Sequence, residues 1–282
     1  MHSKDYVNSE NALEGEFHGP LNLIITQSAN RVKTITLNRP EKRNALSPEL
    51  IEELIAALDE AKSCNCGVVI LTGAGSAFCA GLDIEHLESM KARTAEEHRR
   101  DSEQIARLLR ALCDFPKPVI AAVNGPAIAD GMSMATIPDF TLAAPEVKFG
   151  QNEVRAGLVP AIAASFLLRQ VGDKRTRELL LTGRLLKAQE ALQLGLVTQI
   201  VPAEELMQTA QALAQTLLLN SPQAMREVKL LLAGPLRRHL DEEIEEAIQV
   251  SARQRSTEDF QEGVEAFKQH RRADWPSLKV KV

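Results

Sequence analysis

Gly67-Val68-Val69-Ile70-Leu71-Thr72 is a short apolar run bounded by Gly67 and Gly73, and Pro118-Val119-Ile120-Ala121-Ala122-Val123 is a second run of the same kind. Unbroken runs of this length, rich in β-branched residues, mark strands buried on both faces of a parallel sheet. Between them lie a glycine-punctuated loop, Gly73 to Gly81, and a charged helical stretch around Thr94 to Cys113. Strand, loop, helix, strand is the order of an α/β crossover, so the fold class is read as α/β.

Upstream, Leu21 to Gln27 and Arg31 to Leu37 alternate apolar and polar residues around the break Ser28-Ala29-Asn30, the pattern of a strand pair. Asn38 to Leu46 carries no periodicity, and Ser47-Pro48-Glu49 then supplies an N-cap, a first-turn proline and a first-turn acid for a helix to about Ser63. Downstream, Phe140 to Ala144 and Val147 to Phe149 read as further short strands. From about Ala161 the pattern turns helical: Ala163 to Gln170, Lys174 to Leu181, Ala188 to Leu194, Ala203 to Asn220, Pro222 to Leu232 and Asp241 to Arg255, interrupted by the strand-like Val197 to Val201. No Pro/Gly/Ser-rich linker marks the switch. The predicted organisation is a mobile leader over 1–20, an α/β core over 21–202 and a helical region over 203–282.

The 282 residues are 44% hydrophobic and 25% charged, a globular balance, and the net charge of -5 comes from mixed signs. That balance provides no general attraction for nucleic acid or an anionic membrane, so an anionic ligand has to be met locally. No stretch reaches the roughly 20 apolar residues of a spanning helix, and the N-terminus lacks the apolar centre of a secretory signal, so a cytoplasmic location is expected. Cys64, Cys66, Cys79 and Cys113 are too irregularly placed for a disulfide framework. Cys64-Asn65-Cys66 has no second Cys or His pair at ligand spacing, so no metal site is expected and the two are read as reduced thiols in a turn.

Three segments could carry chemistry. Ser76-Ala77-Phe78-Cys79-Ala80-Gly81-Leu82-Asp83-Ile84 sets small residues directly after a buried strand, where free amides can donate to an oxygen gaining negative charge. Asn124-Gly125-Pro126-Ala127-Ile128-Ala129-Asp130-Gly131-Met132-Ser133 also follows a buried strand and leads into a helix, whose first N–H groups form an anion site. In Lys148-Phe149-Gly150-Gln151-Asn152-Glu153-Val154-Arg155 a carboxylate ends a strand among apolar neighbours, where partial burial makes it a proton carrier. Taken singly, each also fits a bland role: a loop, a helix cap and a solvated surface acid.

Taken together, Leu37-Asn38-Arg39-Pro40-Glu41-Lys42-Arg43-Asn44-Ala45-Leu46, Phe78 to Ile84, Ala122-Val123-Asn124-Gly125 and Phe149 to Glu153 resemble the crotonase (enoyl-CoA hydratase/isomerase) superfamily in residues, spacing and order. The likeness continues more loosely to the terminal Phe260-to-Trp275 segment. It implies a spiral of ββα units with a helical C-terminal oligomerisation region, assembled as a homotrimer or homohexamer. It also implies a coenzyme A thioester as substrate, with no permanently bound cofactor. By the resemblance, the backbone N–H groups of Leu82 and Asp130 receive the thioester oxygen and Glu153 moves the proton. Lys42 and Arg43 would meet the CoA phosphates, Asp83 and Ile84 the nucleotide end, and Ala45, Ala80 and Leu82 line the site. Phe267 would cover the adenine from a neighbouring subunit, and His270 stands where relatives carry lysine.

The chain departs from the superfamily pattern at two positions. Two-acid hydratases place a first glutamate where this sequence has Ser133, whose hydroxyl is no base at neutral pH without help. A proton shift along the acyl chain needs one carrier, whereas water addition benefits from two, so enoyl-CoA isomerisation by Glu153 is the expectation. An enoyl-CoA hydratase resembling the methylglutaconyl-CoA enzymes and a non-catalytic acyl-CoA-binding protein are the alternatives. Asp130 replaces the usual glycine and is open to three readings: a replacement acid, a helix cap, or a sign of lost activity. A nucleic-acid role is disfavoured because the first helix, Glu49 to Glu60, is acidic.

Overall fold

A computed structural model of the chain describes residues 22–279, with backbone only for 234–238; the predicted leader lies outside the described residues. Strands β1 (Ile24–Ala29) and β2 (Val32–Leu37) pair antiparallel through a two-residue turn in which Asn30 and Arg31 both have positive φ, 49° and 62°. That turn twists with its strands and places the break later than Ser28. Helix α1 (Pro48–Ser63) leads to β3 (Val68–Gly73), and α2 (Ile84–Met90) and α3 (Ala95–Cys113) to β4 (Val119–Val123). Then follow β5 (Ala127–Ile128), α4 (Asp130–Thr136), β6 (Phe140–Ala143) and β7 (Lys148–Gly150). The remainder is α5 (Ala161–Thr182), β8 (Leu186–Lys187), α6 (Ala188–Gln193), β9 (Gln199–Ile200), α7 (Leu206–Leu218), α8 (Pro222–Gln254) and α9 (Glu258–Lys268).

The main sheet has six strands in the order β1-β2-β3-β4-β6-β9, parallel except for β1, and a second sheet of three strands runs β5-β7-β8. Successive residues of β3 face opposite layers. Val69 and Leu71 pack under α1 and α3 with Leu50, Leu54 and Leu109, while Val68 and Ile70 join Leu206, Ala210 and Ala214 of α7 on the other face. Both faces are covered, which is why these strands contain no polar alternation. Ser47 caps α1 by accepting from Leu50 N–H at 3.3 Å, and Thr94 with Glu97 forms a full capping box at α3.

The helices expected over 163–170 and 174–181 are the two halves of α5, separated at Gly172, where φ 75° and ψ 169° leave the helical region. Two sequence readings are corrected. The segments expected over 222–232 and 241–255 are one helix, α8, running through Gly234 and Pro235 because its flanks pack against α3 and α5, so tertiary packing overrides local propensity. Cys64 and Cys66 are joined by a disulfide, their Cα atoms 5.4 Å apart, within the span a bridge accepts.

The loop at the carboxyl end of β3 is tied to its neighbours by two asparagines, Asn44 from the segment after β2 and Asn124 from the loop after β4. Asn44, fully buried at φ 54°, accepts from Arg39 N–H at 2.9 Å and donates to the carbonyls of Ala74 and Ala77 at 2.9 and 2.8 Å. Asn124 accepts from Gly73 N–H at 3.3 Å and donates to Gly75 O at 3.0 Å. Replacing Asn44 with alanine strands three backbone groups and sets a Cβ residue without a compensating amide at positive φ. Asn44→Ala is expected to cost about 2–4 kcal/mol of unfolding free energy by urea titration; a loss below about 0.5 kcal/mol would show that the clamp is unimportant.

Candidate active site

The two loops meet backbone to backbone. Cys79 bridges Ala127, with Ile128 N–H donating to Cys79 O at 2.9 Å and Cys79 N–H to Pro126 O at 3.2 Å. Ala80, Asp83 and Ala129 spend their amides on Arg43 O, Leu46 O and Gly150 O at 3.1, 3.0 and 2.6 Å. Among the amides this lattice leaves undonated are those of Leu82 and Asp130, and both residues line the same cleft. Asp130 opens α4 after Ala129, held at φ 53° and ψ -129°, a conformation costly for a residue with a Cβ. That twist turns the chain from β5 into α4 and leaves the amide of Asp130 at a helix N-terminus without a partner.

The cleft encloses about 560 Å³ and collects residues from five separate segments. Lys42, Arg43, Ala45, Ala80, Leu82, Asp83, Ile84, Asp130, Glu153 and Phe267 all line it. Several have other duties as well. Lys42 is ion-paired to Glu85 at 2.5 Å, which raises its pKa. Asp83 is buried, pairs with Arg39 and caps α2 by accepting from Glu85 N–H at 2.7 Å; burial opposes its ionisation, but these partners overcome it and lower its pKa. Its carboxylate is therefore taken by structure, and only its neighbours are free to meet a ligand.

Ser133 is not among the residues that line the cleft. It is buried within α4, where its hydroxyl accepts from Gln151 Nε2 at 2.9 Å. Glu153 begins a 3-10 turn, Glu153–Ala156, against which α9 presses: a Cβ on Gly263 would stand 2.3 Å from Ala156 O. Its Oε2 is buried without a hydrogen-bond partner. Burial, and then the charge of Asp130, push the Glu153 carboxyl well above its ordinary pKa. Burial also lifts Asp130 to about 6, against the opposing pull of Arg255.

Arg255 and the buried His98, neither singled out by the sequence pattern, stand behind this pair. Arg255, the C-cap residue of α8, is buried and donates from Nη1 to His98 O at 3.2 Å. The sequence carries no signal for it, since a basic residue at a helix C-terminus is the ordinary dipole partner.

The sequence profile of the enoyl-CoA hydratase/isomerase family matches residues 27–278, and the chain belongs to that family, the crotonase superfamily. It is similar to "Putative enoyl-CoA hydratase" of Thermus thermophilus, 41% identical over 238 residues, covering 84% of this chain and 94% of that one. It is also similar to "Short-chain-enoyl-CoA hydratase" of Clostridium acetobutylicum, 32% identical over 257 residues, covering 90% and 97%. Among solved structures, an enoyl-CoA hydratase/isomerase from Xanthobacter autotrophicus Py2 superposes with a TM-score of 0.82 at 28% identity, over 88% of this chain and 93% of that one.

The raised carboxyls have a consequence for stability. Asp130 holds its proton more tightly when folded, so the stability linked to it is full below its ordinary pKa of 3.8 and is lost as pH rises through about 6. Wild type should therefore lose stability relative to Asp130→Asn between about pH 4 and about pH 6, read from urea midpoints at each pH, with little further change above. A difference independent of pH would show that Asp130 titrates as it does in solvent.

Proposed function

We propose that the chain adds water to the double bond of an enoyl-coenzyme A thioester. The observation that carries this reading is that Asp130 and Glu153 line one recess as an electrostatically coupled pair beside two undonated amides. The relatives named as enoyl-CoA hydratases support the same substrate class. A second carboxylate at Asp130 supplies what the serine at 133 does not, so hydration replaces single-carrier isomerisation as the favoured reaction.

Burial, and then the charge of Asp130, favour the protonated form of Glu153, while Arg255 favours the anion on Asp130, so Glu153 is assigned as the acid and Asp130 as the base. Asp130 takes a proton from water as the water oxygen bonds to the β-carbon. The electrons of the double bond move onto the thioester oxygen, where the N–H groups of Leu82 and Asp130 receive them. The Glu153 proton then passes to the α-carbon as the carbonyl re-forms, giving a 3-hydroxyacyl thioester with one water consumed. Lys42, Arg43 and Phe267 line the outer part of the cleft, where phosphates and an adenine ring would find cations and an aromatic face.

Glu153→Gln and Asp130→Asn each leave the backbone donors in place and delete one carrier. Each is expected to lower the hydration rate by about 10²-fold or more on a short enoyl-CoA, with ester affinity changed only a few-fold. Ser133→Ala should stay within several-fold of wild type. Products analysed by mass spectrometry in deuterated water separate hydration from double-bond migration. Undiminished hydration by Asp130→Asn, with migration as the fast reaction of wild type, would return the assignment to single-carrier isomerisation.

A further inference from the structure

Arg255 is a buried cation with no ion-pair partner. It is 4% exposed, and among the described residues no carboxylate contacts its guanidinium, its Nε–H has no acceptor, and the one hydrogen bond of the guanidinium is the neutral contact to His98 O. Asp101 is engaged elsewhere, by Arg93 at 2.7 Å and His86 at 3.7 Å. Asp101 and then Asp130 act on the guanidinium through space, neither in contact with it. A buried guanidinium in this condition is costly unless a counter-charge arrives from outside the chain.

The same side chain lines a small recess of about 30 Å³ that opens beside Asp130 and Glu153 and is walled by Leu82, Ile105, Val159 and Ile162. An acyl chain held by its thioester oxygen at Leu82 and Asp130 would lay its far end along these apolar walls. The recess has room for a small polar group and no more. A water molecule there would satisfy the unpartnered Nε–H but would leave the guanidinium without a contacting carboxylate, whereas a carboxylate supplies both and matches its planar fork.

We infer that Arg255 is a specificity-determining residue that receives a second carboxylate at the far end of a short acyl chain, so that the preferred substrates are thioesters of dicarboxylic acids. The inference rests on reading the cleft as a CoA-thioester site. It makes the charge of Arg255 part of substrate recognition, with the amide donors and the carboxylate pair doing the chemistry.

Two pairs of ligands test it. One is a short enoyl-CoA ending in a carboxylate against its terminal amide, which has the same shape without the charge; the other is the saturated, unreactive version of each. Wild type should favour the acid over the amide by about 30-fold or more in kcat/KM, and by a comparable factor in calorimetric affinity for the saturated pair. Arg255→Gln should bring both ratios to about one, whatever happens to the absolute rates, and Arg255→Lys should retain part of the preference. Equal use of acid and amide by wild type, or a preference that survives in Arg255→Gln, overturns the inference, and the wild-type ratio decides even if neither variant folds. If neither enoyl ester reacts while the saturated pair still discriminates through Arg255, the proposed reaction fails and the recognition role stands.

Discussion

Everything at this site depends on how closely two pieces of backbone approach each other. The loop after β3 and the loop after β4 touch without intervening side chains. A Cβ on Gly125 would stand 2.2 Å from Ser76 O, one on Gly131 2.4 Å from Cys79 O, and one on Gly81 2.8 Å from the Ala129 Cβ. Distances under about 3 Å are sterically closed, so glycine is required wherever the two chains cross. The contact brings Leu82 and Asp130 to one wall; Asn124 ties the second loop to the first, and Asn44 fixes the first loop to the segment after β2. Free amides are valuable here because the surrounding lattice has consumed most of their neighbours.

Onto that frame the helical half of the chain adds charge. The junction of α8 and α9 lies against the turn that carries Glu153: Gln254 donates to Gly157 O at 3.0 Å, and Gly157 itself has no room for a Cβ beside Asp259 O. Arg255 is buried there and lines the same recess as Leu82, Asp130 and Glu153. Desolvation raises both carboxyls, and Arg255 opposes that rise at Asp130. In the proposed reaction, proton supply, oxyanion stabilisation and charge recognition would come from elements distant in sequence.

Much of this was legible from local pattern. The runs at 68–72 and 119–123 identify the buried strands because both faces of the sheet are covered, and the caps at Ser47 and Thr94 are local chemistry that tertiary structure left alone. The glycines and the two asparagines stand in the quoted motifs, though the motif alone does not reveal that Asn44 ties Arg39 to Ala74 and Ala77. What was not legible has a common cause. The hydroxyl of Ser133 is turned to Gln151, a side-chain contact that register along the chain cannot show. The partnership of Asp130 with Arg255 joins the start of α4 to the end of α8, and only packing brings them together. The continuity of α8 through Pro235 was hidden for the same reason, since local propensity argues for a break.

The central claim is that the amides of Leu82 and Asp130 polarise the carbonyl of a bound thioester. Infrared difference spectroscopy on an enoyl-CoA carrying a carbon-13 label at the thioester carbonyl reads this bond alone, before any chemistry and independently of which carboxylate moves the proton. The account predicts that the labelled carbonyl stretch moves to lower frequency on binding, as its oxygen accepts two hydrogen bonds in a water-poor cleft. A ligand shown by calorimetry to be bound, yet whose carbonyl absorbs at its solution frequency or higher, would contradict it.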